Sequence, residues 1–272
     1  MIFTDQIGRT IELHQPPKRI VSVVPSQTEL LHDLGLEEEV IGITKFCIHP
    51  ESWFRSKKRV GGTKQLHIEK IKGLKPDLIL ANKEENVKEQ IEELARETPV
   101  WTSDISNLDE ALQMIRSIGG LAGKEEKANT IASGIETAFA HLTHLTPNQE
   151  PGTINQKPCC YLIWKDPYIT VGGDTFIHDM LHRCGLQNAF AEEKRYPQVT
   201  PERIRDAGCG VVLLSSEPYP FRQNHVEELR KLLGDDVKIL LADGEPFSWY
   251  GSRLLQSPLY FEGLLRQIHS IC

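Results

Sequence analysis

Short apolar runs alternate with amphipathic stretches along most of this chain. Ile20-Val21-Ser22-Val23-Val24, Val40-Ile41-Gly42-Ile43-Thr44 and Asp77-Leu78-Ile79-Leu80-Ala81 are aliphatic runs of strand length, and Pro99-Val100-Trp101 opens another. Between them the period lengthens to that of a helix, over residues 26–34, 68–71, 87–97 and 108–118. Ser26-Gln27-Thr28-Glu29 has the form of a capping box, and Gly119-Gly120 predicts a break. Strands alternating with helices predict α/β architecture, a parallel sheet covered by helices. Such sheets bind ligands beyond the carboxyl ends of their strands. That directs attention to Pro25-Ser26 and to residues 46–49 and 82–85.

Residues 123–142 form the longest amphipathic stretch. Ala128, Ile131, Ala132, Ile135, Ala138, Phe139 and Leu142 recur at three- and four-residue spacing, on one face of a helix of roughly 30 Å. Polar residues 143–157 read as a connector. The strand and helix pattern then restarts, with strands at 160–164, 168–172, 211–214 and 237–241 and helices at 175–183, 201–206, 227–233 and 259–271. Residues 243–251 read as an aromatic-rich loop.

One segment repeats. Glu69-Lys70-Ile71-Lys72 through Leu80 aligns without a gap on Glu202-Arg203-Ile204-Arg205 through Leu213, at a constant offset that also places Gln65 on Gln198 and Glu84 on Glu217. Two lobes of similar topology are expected, residues 1–122 and 146–272, with the helix of 123–145 as a strut between them. Glu69 and Glu202 then correspond. Each lies early in a short helix, where a carboxylate is favoured by the helix dipole. The same pair also suits docking to arginines of a two-fold symmetric partner.

Composition narrows the classes. The net charge of −7 leaves no basic footprint for nucleic acid, and Lys57-Lys58-Arg59 reads as a solvated turn. No run is long and apolar enough for a membrane span. Nor does the start carry the apolar core of a signal peptide, which implies a cytoplasmic protein if Met1 is the genuine start. Six cysteines show no CxxC and no zinc spacing, so buried free thiols are expected. There is no GxSxG, HExxH or P-loop, and nothing compels catalysis. His178 and His182 stand at i, i+4 but lack an evident third metal ligand.

The ordered motifs resemble a known family. Thr4-Asp5, Gly8-Arg9-Thr10, Arg19-Ile20-Val21, Pro25-Ser26 and Thr28-Glu29 are similar to the first lobe of helical-backbone substrate-binding proteins. These serve ABC importers of vitamin B12, iron siderophores and haem. Leu74-Lys75-Pro76-Asp77-Leu78 matches that family's strand entry, and Gly173-Asp174-Thr175-Phe176-Ile177, Gly185, Asn188 and Tyr196-Pro197-Gln198 match its second lobe. The resemblance implies two Rossmann-like α/β lobes joined by one long helix, with the ligand in the cleft between them. It further implies an extracytoplasmic monomer without intrinsic cofactor or metal, an ABC permease as partner, and permease docking through Glu69 and Glu202.

Under that resemblance the ligand is a corrinoid, haem or ferric siderophore. The B12-binding member has tryptophans in the loops where this chain carries Lys64 and Asn82-Lys83, which weakens cobalamin and leaves anionic chelates open. Phe247, Trp249, Tyr250 and Arg253, with Trp164 and Tyr168, offer aromatic faces and a cation from the second lobe. Phe46, Cys47 and His49 lie on a predicted cleft loop of the first lobe. His49 reads either as a ligand to a metal centre or as a hydrogen-bonded loop histidine before Pro50. Two alternatives remain: a cytoplasmic protein that binds or senses such a chelate, and a metal-dependent enzyme of similar two-lobed fold.

Overall fold

A computed structural model of the chain describes residues 1–145 and 158–269. Residues 146–157, most of the expected connector, and Cys272 lie outside the described residues. The chain forms two compact units. The first comprises Met1–Ile105, Asp109–Ile135 and Trp249–Arg253, and the second Ser106–Leu108, Glu136–Ser248 and Leu254–Cys272.

The first unit opens with an antiparallel hairpin, β1 (Ile2–Thr4) and β2 (Thr10–Glu12), turned at Gly8 with φ +85°. It continues through β3 (Ile20–Ser22), α1 (Pro25–Asp33), β4 (Val40–Ile43), α2 (Glu51–Ser56), β5 (Lys58–Arg59), α3 (Ile68–Gly73), β6 (Leu78–Asn82), α4 (Lys88–Leu94) and β7 (Val100–Ser103). The five later strands form one parallel sheet in the order β5-β4-β3-β6-β7. Every residue of β3, β6 and β7 is buried, as strands covered on both faces require. The charged segment 51–58 contains a helix that its polarity hides, because only Trp53 of α2 is buried.

Helices α5 (Leu108–Leu121) and α6 (Glu125–Leu145) follow. The expected break at Gly119-Gly120 is absent, and α5 runs through both glycines. Gly119 is there for closeness rather than termination: a Cβ on it would lie 2.2 Å from the Ala128 Cβ of α6. The apolar face of α6 is as the spacing predicts, with Ala128, Ile131, Ala132, Ile135, Phe139 and Leu142 buried and Ala138 half-buried. The boundary between the compact units falls within this helix, after Ile135.

The second unit contains β8 (Cys159–Leu162), α7 (Phe176–Arg183), α8 (Pro201–Asp206), β9 (Val211–Ser215), α9 (Gln223–Leu233), β10 (Lys238–Ala242), α10 (Glu245–Ser248) and α11 (Ser257–His269). Its three strands are parallel, in the order β10-β9-β8. The repeat reappears as structure: Ile68–Gly73 and Leu78–Asn82 recur as Pro201–Asp206 and Val211–Ser215, both shifted by 133 residues. In each unit the repeated strand is central, β6 between β3 and β7, β9 between β8 and β10. The strand expected at 168–172 does not form. Ile169 makes only isolated bridges, to Trp164 and Gln198.

Among the described residues no helix is long and apolar enough to cross a membrane. Cys47, Cys159, Cys160, Cys184 and Cys209 are free and buried. Burial raises the pKa of each thiol, to about 11 for Cys47 and Cys209 and about 12 for Cys184. At pH 8 the thiolate fraction is then roughly a thousandth or less. In a Cys272→Ser variant, a thiol reagent such as DTNB is therefore expected to react only on unfolding. Rapid reaction of the native protein contradicts this burial.

Candidate functional site

In the first unit the loops that leave β3, β4, β5 and β6 at their carboxyl ends share one end of the sheet. The expected capping box does not form there. Pro25 takes the first helical position after Val24, and no side chain caps the helix. Ser26, Gln27 and Thr28 are buried instead. The Thr28 hydroxyl lies 2.9 Å from the Val24 carbonyl, 2.8 Å from Ser22 Oγ and 3.1 Å from Cys47 Sγ.

That leaves Glu29 free for a distant partner. Arg253 donates to it twice, Nε to Oε2 at 2.9 Å and Nη2 to Oε1 at 2.6 Å. Both side chains are largely buried, 17% and 16% exposed. Burial raises the Glu29 pKa, against the lowering effect of Arg253 and, more weakly, of His49. The Arg253 guanidinium stands over the Trp249 ring at 5.0 Å, and Trp249 meets His49 edge-on at 5.4 Å. Tyr250 donates its hydroxyl to Glu85 at 2.5 Å. Gly251 passes so close to the Ser26 carbonyl that a Cβ would stand 2.4 Å from the oxygen. Residues 249–253 are thus seated on α1 and on the loops after β4 and β6 by three side-chain contacts and one close backbone approach.

This corrects the reading of residues 247–253 as one loop of the second lobe. Residues 249–253 belong to the first unit, and 245–248 form the short helix α10 of the second. Phe247 is fully buried, 5.0 Å from Tyr161 and 4.6 Å from Phe261, so it builds core and presents no ligand face. Trp249 and Tyr250 are buried as well. Cys47 is also withdrawn: its sulfur lies among the Thr28 and Thr44 hydroxyls with no exposed surface.

The exposed members differ in character. Phe46 is 49% exposed at the end of β4, with Lys45 Nζ 5.0 Å from its ring centre. Lys64 donates to the Glu84 carbonyl at 2.5 Å, and Lys83 pairs with Asp104 at 2.5 Å rather than with its neighbours Glu84 and Glu85. In the second unit, beyond the end of β8, Trp164 is 41% exposed and meets Tyr219 edge-on at 5.6 Å. Tyr168 is half-buried against that unit's core, and Lys165 pairs with Glu228 at 2.6 Å. Glu29, Glu85, Asp104 and Tyr219 are partners that sequence reasoning missed.

Glu69 and Glu202 occupy the same place in their helices, the second residue of α3 and of α8. Their side chains are 89% and 66% exposed. Each has a cation three residues on, Lys72 at 3.9 Å and Arg205 at 3.4 Å. The pKa of Glu202 is lowered, chiefly by the Thr200 hydroxyl and its own backbone amide. Among the described residues, no three His, Cys, Asp or Glu side chains come together as a metal site. His178 Nδ1 lies 3.3 Å from Asn188 Nδ2, and burial, followed by the neighbouring His182, lowers its pKa.

Residues 20–232 match the sequence profile described as periplasmic binding protein. The uncharacterized ABC transporter substrate-binding lipoprotein YvrC of Bacillus subtilis (strain 168) is 29% identical over 209 residues, 74% of this chain and 64% of that protein's length. The chain therefore spans just under two thirds of that relative. A vitamin B12-binding protein of Photorhabdus laumondii is 28% identical over 205 residues, 75% of this chain and 72% of its own length. A periplasmic heme binding protein from Pseudomonas aeruginosa shares the fold, with a TM-score of 0.79 at 18% identity over 91% of this chain and 92% of that one.

Proposed function

Because this chain belongs to the periplasmic binding protein family, we propose that it captures a metal chelate outside the cytoplasm and delivers it to an ABC importer. The family binds rather than catalyses, and the chain is no enzyme. The chelate class is a corrinoid, a haem or a ferric siderophore, carried as cargo. Phe46, exposed beyond the carboxyl end of β4, supplies an aromatic face for a large planar ligand. His49 and Lys64 supply polar contacts. Trp249, Tyr250 and Arg253, being buried, frame the first unit's loops rather than wall the ligand.

The observation that supports transport most is the pair Glu69 and Glu202. Two exposed carboxylates at matching positions of a repeated helix and strand suit two equivalent basic sites on a two-fold symmetric permease.

A thermal-shift panel of cyanocobalamin, hemin, ferric siderophores and bare metal ions tests the ligand. A true ligand at 100 times its Kd is expected to add about 2.7 kcal/mol of stability. No shift with any chelate overturns the chelate reading. Glu69→Ala/Glu202→Ala is expected to keep that shift and abolish uptake with the cognate permease in vesicles. Normal uptake by the double variant removes the docking role.

A further inference from the structure

A cavity of about 590 Å³ lies on the first unit, beyond the carboxyl ends of β6 and β7 and against the turn of the β1–β2 hairpin. Its volume suits a small molecule. We propose that it is a second binding site, for a small organic carboxylate, separate from the chelate site, whose residues Phe46, His49 and Lys64 do not line it.

Arg9, Lys83 and Lys88 line the cavity, against one acid in its wall, Asp104. With Glu92, which stands 3.3 Å from Arg9 and 3.8 Å from Lys88, and the buried Asp5 of the hairpin turn, the group is balanced, so what favours an anion is the geometry at Arg9. The Arg9 contact to Glu92 is a single long one through Nη2. A bound carboxylate meets a guanidinium through two parallel hydrogen bonds, a stronger geometry than that contact.

The wall is built rather than incidental. Asp5, 5% exposed, accepts from the Arg9 amide at 2.6 Å and the Ile7 amide at 3.1 Å through Oδ1, and from the Thr102 amide at 3.3 Å through Oδ2. One buried carboxylate thereby fixes the turn that carries Arg9 to the strand end opposite. Gln6 is held in the same way, donating to the Glu110 carbonyl at 2.9 Å and accepting from the Asp104 amide at 3.2 Å. Thr102 lines the cavity at 3% exposure, and its hydroxyl oxygen has no hydrogen-bond partner. A buried hydroxyl in that state is costly, and a ligand oxygen or hydroxyl relieves it. Fixed polar groups beside a guanidinium that has only one long carboxylate contact fit a compact hydroxy-acid better than an apolar or cationic ligand.

Isothermal titration with L-malate, citrate and inorganic phosphate tests this. Saturable binding of malate or citrate is expected, weakened about tenfold or more in Arg9→Gln/Lys88→Gln. Thr102→Val is expected to weaken it as well, and it decides the matter should the double variant fail to fold. Chelate shifts measured on the same samples are expected to stay unchanged, so failure of either site is seen separately. Absence of saturable carboxylate binding, or equal affinity in all variants, overturns the proposal. Binding of phosphate alone overturns the carboxylate assignment.

Discussion

Arg253→Ala is expected to lower the unfolding free energy by about 3–5 kcal/mol at neutral pH, and by much less near pH 4.5. The substitution leaves Glu29 buried without its bidentate partner. The Glu29 pKa already lies above its ordinary value through burial, and Arg253 is the main influence holding it down. Removing Arg253 raises it further. A carboxyl whose folded-state pKa is raised contributes stability that is fully present below the unfolded pKa and lost as pH rises through the folded one. The damage in Arg253→Ala therefore grows as pH rises through the wild-type protein's raised Glu29 pKa and levels off once Glu29 is ionised in the variant's fold. Denaturant unfolding at several pH values reads this directly. Glu29→Gln/Arg253→Met, which removes both charges, is expected to recover most of the loss. A double variant as unstable as Arg253→Ala, or a loss independent of pH, contradicts the buried-pair account.

Gly119→Ala is expected to destabilise the protein by about 1–3 kcal/mol, although alanine is the better helix former by about 1 kcal/mol. The new methyl would stand 2.2 Å from Ala128 Cβ and 3.3 Å from the Lys124 carbonyl. Two helices at such a distance cannot part without disturbing the buried face of α6. Gly119→Ala/Ala128→Gly moves the methyl from one helix to the other and is expected to restore most of the stability. The pair forms a double-mutant cycle in denaturant. A stabilised Gly119→Ala, or no coupling between the sites, shows that propensity rather than packing governs this position.

The two cases show different ways in which sequence reading reaches its limit. At Gly119-Gly120 the local rule is sound, since glycine weakens helices, but the tertiary contact demands the absence of a side chain and overrides it. At Ser26-Gln27-Thr28-Glu29 the pattern fits a capping box, but Pro25 already opens the helix, Ser26 is buried, and the Thr28 hydroxyl turns to Ser22, the Val24 carbonyl and Cys47. Glu29 carried no visible sign of its partner, which lies 224 residues away. Tyr250 and Glu85 are 165 residues apart and were equally hidden. Likewise Phe247 and Trp249 stand two residues apart in an aromatic segment, yet one builds the second unit's core and the other joins the first unit.

What the amino-acid sequence determined by itself is whatever depends on near neighbours. The period of apolar residues located nearly every central strand and the buried face of α6. The gapless match of Glu69–Leu80 to Glu202–Leu213 became two equivalent pairs of helix and central strand. Local hydrogen bonding and one-sided burial impose those periods on any stretch that folds this way. Only the tertiary structure decided which polar residues are buried and which partners they take. It seated residues 249–253 on the first unit, withdrew Cys47 and Phe247 from any ligand, and gave Lys83 to Asp104. Those outcomes rest on contacts between segments far apart in the chain, where no local periodicity records which charge meets which.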